Sequence, residues 1–212
     1  MALTESEFKD RWSKLHGGAD VEGVVGGWLS FSYQAARVCT ALRITPNLLT
    51  LLGLLTAIAM ALSTYAAIAL LLLVVSLFFD GIDGSVAIVQ ERDSQWGALL
   101  DSVADRVSEA LWFYVAYRIG APAWIVLATY VIASTQEYAR ARLGGLGVSE
   151  VGVVTPAERP VRASFIFIAL FAYALDLNIV TLVLAVLGAL QVFSFYLVGR
   201  WAYNCLRNDF RA

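Results

Sequence analysis

Residues 46–79 read PNLLTLLGLLTAIAMALSTYAAIALLLLVVSLFF, a stretch without a charged side chain that runs straight into Asp80. A helix crossing a bilayer needs about 20 mostly apolar residues. This stretch therefore predicts one span over Pro46–Tyr65 and a second over Ala66–Phe79. Four similar runs follow, at about Ala98–Tyr117, Pro122–Tyr138, Ala163–Leu175 and Asn178–Val198. The expected fold is an all-α integral membrane protein of six transmembrane helices. Composition agrees: 59% of the 212 residues are hydrophobic and 15% charged, with mean hydropathy +0.71. Average globular usage is about 45–50% apolar and 25% charged.

The same figures exclude other classes. Disorder requires low hydrophobicity and high net charge, and both are missing. Cys39 and Cys205 are the only cysteines, too few for a disulfide scaffold. Fifteen basic against seventeen acidic residues give no field to attract nucleic acid. Met1–Lys14 is polar and charged, so no cleavable signal peptide is expected.

Orientation follows from lysine and arginine. With six spans, both termini and the loops after spans two and four share one side. Lys9, Arg11, Lys14, Arg37, Arg43, Arg92, Arg140, Arg142, Arg159, Arg162, Arg200, Arg207 and Arg211 map there, with Arg106 near the same end of span three. Only Arg118 maps to the opposite face, whose connections around Thr64, Gly120 and Asp176 are short. The basic side is expected in the cytoplasm, at the inner membrane. Residues 1–44 are read as a cytoplasmic or interfacial segment and 45–212 as the transmembrane domain. Phe8, Trp12 and Leu15, among Lys9, Arg11 and Lys14, suit an amphipathic interfacial helix. Gly17, Gly18, Gly23, Gly26 and Gly27 break that pattern before a helix resumes at Trp28–Arg43.

An ionisable residue within a span is costly enough to suggest function. Asp80 and Asp83 close span two; Asp101, Asp105 and Glu109 open span three. Steps of three and four put each set on one helix face. Sequential antiparallel spans bring both sets to the cytoplasmic ends, where four or five carboxylates converge. Unneutralised, they would repel and protonate. With no histidine or cysteine among them, oxygen ligands point to Mg²⁺, Mn²⁺ or Ca²⁺ rather than zinc. The alternative is that these acids cap helix ends or pair with Arg92 and Arg106. Gly84 and Gly97 remove side chains where a ligand could approach the backbone, though glycine in a membrane helix also serves packing.

Read together, Asp80-Gly-Ile-Asp83-Gly84-Ser-Val-Ala87 and Gly97-Ala-Leu-Leu-Asp101-Ser-Val-Ala-Asp105 resemble the signature of the CDP-alcohol phosphotransferase family, D-x-x-D-G-x-x-A-R, eight residues, G-x-x-x-D-x-x-x-D. The resemblance covers nearly the whole chain. It implies transfer of the phosphatidyl group of CDP-diacylglycerol to an alcohol with release of CMP. It implies two Mg²⁺ or Mn²⁺ ions on Asp80, Asp83 and Asp101, with Asp105 as a further ligand or as general base. Thr45-Pro46-Asn47, Gly84, Ala87 and Gly97 are then nucleotide and diphosphate contacts, although Pro46 also suits a plain helix start. One position departs: Ile88 stands where the family has arginine. That removes a polar contact near the nucleotide, for which Arg92 is the candidate replacement; a catalytically altered paralogue is the alternative.

Tyr138-Ala-Arg140-Ala-Arg142 and Glu158-Arg159-Pro160-Val-Arg162 resemble segments of the family's phosphatidylinositol phosphate synthase branch. Arginine stands at position 140 where that branch has lysine. This likeness implies an anionic acceptor, inositol phosphate, held by Arg140, Arg162 and Arg200, with glycerol 3-phosphate next. The positive-inside rule alone would also place arginines there. The family resemblance further implies a homodimer. Two competing classes are a cation transporter, which predicts acids at mid-membrane and broken spans, and a non-catalytic lipid-binding scaffold.

Overall fold

The computed structural model describes residues 3–15, 17–148 and 152–209, with the side chains of 208 and 209 excepted. Arg211, counted above among the basic residues, lies outside them. Eight helices and no strands form among the described residues: α1 Glu5–Leu15, α2 Gly23–Ala41, α3 Pro46–Leu62, α4 Ala66–Val89, α5 Gln95–Arg118, α6 Ala123–Gly145, α7 Arg159–Ala174 and α8 Val180–Asp209. Each of the six expected apolar runs is helical, as α3 to α8.

By length and composition, α4 and α8 suffice to cross a membrane, and α2 with α3 pass as a pair bent by 107°. Large apolar side chains such as Leu55, Leu71, Leu127 and Leu182 point outward. A water-soluble monomer seldom exposes so many together; lipid solvates them. The chain is a membrane protein.

Two boundaries differ from the sequence reading for clear reasons. Helix α2 starts at Gly23 rather than Trp28 and takes in Gly26 and Gly27. A Cβ on Gly26 would lie 2.3 Å from the Val21 carbonyl oxygen, so glycine here admits the entering chain. Helix α4 does not end at the acids but runs on to Val89. Ile82, Val86 and Ile88 are buried beyond Asp80, and that packing carries the helix forward.

The helices gather into two compact units, Met1–Ala59 with Leu71–Ser108, and Met60–Leu70 with Glu109–Ala212. In the first, Phe8 of α1 is buried with Leu29, Tyr33 and Ile88, its ring 5.5 Å from that of Tyr33. Arg11 donates to Asp93 at 2.6 Å and lies 3.7 Å from Glu91. A second cluster joins Ala36, Cys39, Leu49, Ile82 and Val86. Ser76 donates to the Gly53 carbonyl at 2.8 Å, where the missing side chain lets α3 and α4 approach.

In the second unit, α8 packs against α6 and α7. Gln191 donates to Gln136 at 2.9 Å, and both are wholly buried. A buried polar group without a partner would cost stability, so the pair fixes how α6 meets α8. Arg118 donates to the carbonyls of Ala61 and Ser63 at 2.5 and 3.2 Å, satisfying acceptors that the end of α3 leaves open.

Candidate active site

In the first unit, Asp80 on α4 and Asp101 and Asp105 on α5 each offer a carboxylate oxygen, all within 4.8 Å of one another. Asp101 and Asp105 share a face through their four-residue step, and all three are half-buried. Such spacing suits oxygens around a hard cation, because metal–oxygen distances are about 2.0–2.6 Å. Three oxygen donors with no nitrogen or sulfur fit Mg²⁺ or Mn²⁺.

Asp83 stands outside this trio. It is buried, and its two oxygens accept the Thr50 hydroxyl at 2.5 Å and the Gly84 N–H at 2.6 Å. Thr50 on α3 therefore orients a carboxylate one turn beyond Asp80. Glu109, the fifth carboxylate that the spacing suggested, is not one of the trio. It belongs to the second unit, where it is wholly buried and accepts a hydrogen bond from the Arg162 guanidinium.

A cavity of about 340 Å³ opens beside the acids, its walls including Asp80, Asp83, Asp101, Pro46, Asn47 and Arg92. Gly84, Ala87 and Gly97 also line it. A Cβ on Gly84 would meet nothing within 4 Å, whereas one on Gly97 would crowd Ser94 Oγ at 3.2 Å and Asn47 Oδ1 at 3.4 Å. Glycine at 84 thus leaves open space, and at 97 it admits Asn47. Thr45 is not part of the wall; its hydroxyl accepts the Leu48 N–H at 3.4 Å at the start of α3.

Two features of this cavity were not foreseen from the sequence. Trp12 and Leu15 of α1 and Trp28 of α2 form part of its wall. The Trp28 indole also lies so close to Gly81 that a Cβ there would sit 2.8 Å from the ring. Gly81 follows the first signature aspartate, so any larger residue would push the indole or the Asp80 backbone. A lone tryptophan in a helical pattern gives no signal of such a contact.

The three arginines expected at an acceptor lie in the second unit in different states. Arg140 forks onto Glu158, with both contacts at 2.7 Å, and donates to the Val153 carbonyl at 2.9 Å. It lines a separate cavity of about 510 Å³ with Glu158 and Trp201. Arg162 is wholly buried; beyond Glu109 it donates to Glu137 at 2.9 Å and to the Ala157 carbonyl at 2.5 Å. Arg200 on α8 is exposed. Burial raises the Glu158 carboxyl pKa, but hydrogen bonds from Arg140 and Thr155 outweigh it and bring the pKa down to about 2. Glu137 and Glu158 were missed as partners. The i, i+3 spacing of Glu137 and Arg140 was the available signal for one; Glu158 reaches Arg140 from 18 residues away and carries none.

Residues 43–196 match the profile of the CDP-alcohol phosphatidyltransferase family. Archaetidylinositol phosphate synthase of Pyrococcus horikoshii is 31% identical over 152 residues, covering 69% of this chain and 79% of that protein. Phosphatidylinositol phosphate synthase of Cutibacterium acnes is 32% identical over 145 residues, covering 63% and 70%. The crystal structure of Mycobacterium tuberculosis phosphatidylinositol phosphate synthase with manganese and citrate superposes at TM-score 0.71 over 81% of this chain and 88% of that one. At 19% identity, this last likeness is one of fold.

Proposed function

Because the chain belongs to the CDP-alcohol phosphatidyltransferase family, we propose that it moves the phosphatidyl group of CDP-diacylglycerol onto inositol phosphate, releasing CMP. The acceptor hydroxyl oxygen forms a bond to the lipid-side phosphorus as the bond from that phosphorus to the CMP oxygen breaks. The hydroxyl proton passes to a carboxylate, which we assign to Asp105. The Arg106 guanidinium lies 3.9 Å from Asp105. Asp80, Asp83, Asp101 and Asp105 are the proposed holders of two Mg²⁺ or Mn²⁺ ions, with Thr50 keeping Asp83 turned inward. Bound divalent ions would neutralise charge on the diphosphate and on the CMP leaving group.

Pro46, Asn47, Gly84, Ala87 and Gly97 line the cavity and are assigned to the nucleotide and diphosphate, with Thr45 holding the start of α3. The acceptor's phosphate falls to Arg140 and Arg200, because arginine binds phosphate oxygens in a forked geometry. Arg162 acts at one remove, by holding Glu137 beside Arg140. The similarity to an archaetidylinositol phosphate synthase and a phosphatidylinositol phosphate synthase supports this acceptor.

The same reading makes α3 to α8 six spans, with both termini at the cytoplasmic side of the inner membrane. The distribution of lysine and arginine supports that orientation. Residues 45–212 form the catalytic domain, α1 lies at the interface, and the active protein is a homodimer.

The observation that carries the proposal is the trio of carboxylates within 4.8 Å at the edge of a cavity. The test is CMP release from CDP-diacylglycerol by purified protein with Mn²⁺, across inositol phosphate, glycerol 3-phosphate, inositol and serine. Turnover with inositol phosphate, abolished in a folded Asp105→Asn variant, is the expected result. No CMP release with any acceptor would overturn the reaction; preference for another acceptor would overturn the assignment of inositol phosphate.

A further inference from the structure

Ile88 and Arg92 both border the acid-bearing cavity, but only Arg92 brings a charge to it. Ile88 lies in the apolar cluster of Phe8, Leu29 and Tyr33 and is only 4% exposed. It is a packing residue that seats α1. Helix α4 then ends in a left-handed turn. Glu91 adopts a φ of 53°, and the Arg92 N–H donates back to the Ala87 carbonyl at 2.8 Å. This six-to-one closure reverses the chain over the last turn of its own helix. It places Arg92 on the wall of the acid-bearing cavity, at its border with a second cavity lined by Arg37 and Arg43.

Among the described residues lining that cavity, Arg92 is the only basic one. The two acids flanking it in sequence are both engaged by Arg11. Arg11 of α1 donates to Asp93 at 2.6 Å and lies 3.7 Å from Glu91. Arg92 itself is exposed and makes no side-chain hydrogen bond or ion pair among the described residues. A cation with no ion pair of its own, lining the same open cavity as Asp80 and Asp101, is poised for an anion arriving with the metal.

We propose that Arg92 binds a phosphate of the nucleoside diphosphate, delivered by the turn after α4 while Ile88 is committed to holding α1. The inference rests on the phosphatidyl-transfer reading for its substrate and adds a residue that determines affinity for the nucleotide donor. A guanidinium can fork onto two phosphate oxygens. Losing one charge-assisted contact of this kind corresponds to about a 10- to 100-fold change in affinity.

The test uses the full-length protein with Mn²⁺ and compares wild type, Arg92→Gln and Arg92→Lys in two measurements. One is KM for CDP-diacylglycerol against KM for the acceptor; the other is direct binding of CDP, which needs no turnover. Arg92→Gln should raise KM for CDP-diacylglycerol and weaken CDP binding by about 10- to 100-fold, with acceptor KM changing less than about threefold. Arg92→Lys should recover part of both losses, because charge returns without the fork. Unchanged CDP binding in Arg92→Gln overturns the inference, as does an equal rise in both KM values. If wild type releases no CMP yet binds CDP through Arg92, the transfer reading falls and the phosphate contact stands.

Discussion

Thr50 on α3 donates its hydroxyl to Asp83 on α4 at 2.5 Å, inside a unit where both side chains are buried. This contact joins the helix that begins at Pro46 to the one that carries the first two acids. Groups that orient metal-site carboxylates contribute about 10–100-fold in metal affinity or activity when removed. Thr50→Val keeps the shape and deletes the donor. It is expected to lower turnover by about that factor while detergent-solubilised protein elutes as wild type does. Turnover within twofold of wild type would show that Asp83 needs no help from α3.

The second unit centres on Arg162, wholly buried with Glu109 and in contact with Glu137. Breaking one side of a buried ion pair costs about 3–5 kcal/mol, because the remaining charge is left unpaired in a medium that solvates it poorly. Arg162→Ala is therefore expected to unfold at a markedly lower temperature. The double variant Arg162→Met with Glu109→Gln, which removes both charges, should recover much of that loss. Thermal unfolding of the two variants in one detergent checks this, and equal melting temperatures would refute the pairing.

Glu158 supplies a pH signature outside the spans. Its carboxyl pKa is held down to about 2, from an ordinary value of 4.5, by Arg140 and Thr155 against the opposing effect of burial. A depressed folded-state value stabilises the protein above the unfolded value and ceases to do so as pH falls through the folded one. Wild type should therefore lose stability between about pH 4.5 and 2 more steeply than Glu158→Gln, with no slope from this group between pH 6 and 8. Parallel melting curves for the two proteins across the acidic range would contradict the assignment.

How much of this was legible beforehand differs by feature. Long uncharged runs announce helices directly, so Pro46 and Ala66 were read as helix starts and are found so. The four-residue step from Asp101 to Asp105 by itself puts both on one face of a helix. Helix ends were harder: α4 continues past its acids because Val86 and Ile88 find buried partners, and those partners lie far off in sequence. Thr50 gave no sign, since a lone threonine among leucines reads as filler until Asp83 stands beside it. Glu109 misled for a related reason. Its spacing matched Asp105, but spacing fixes a face of the helix and not the partner, and Arg162 claims it. Arg92 could be noticed only as a possible substitute, because the left-handed turn at Glu91 is what brings it back to the cavity.

The proposed reaction requires Asp80, Asp101 and Asp105 to hold a hard cation together. Titration of purified protein with Mn²⁺, following free ion by electron paramagnetic resonance, addresses it without relying on turnover. Asn substitutions at Asp80, Asp101 and Asp105 should each weaken Mn²⁺ binding by about tenfold or more, while Asp10→Asn on exposed α1 surface leaves it unchanged. Wild-type Mn²⁺ affinity in all three trio variants would contradict the account.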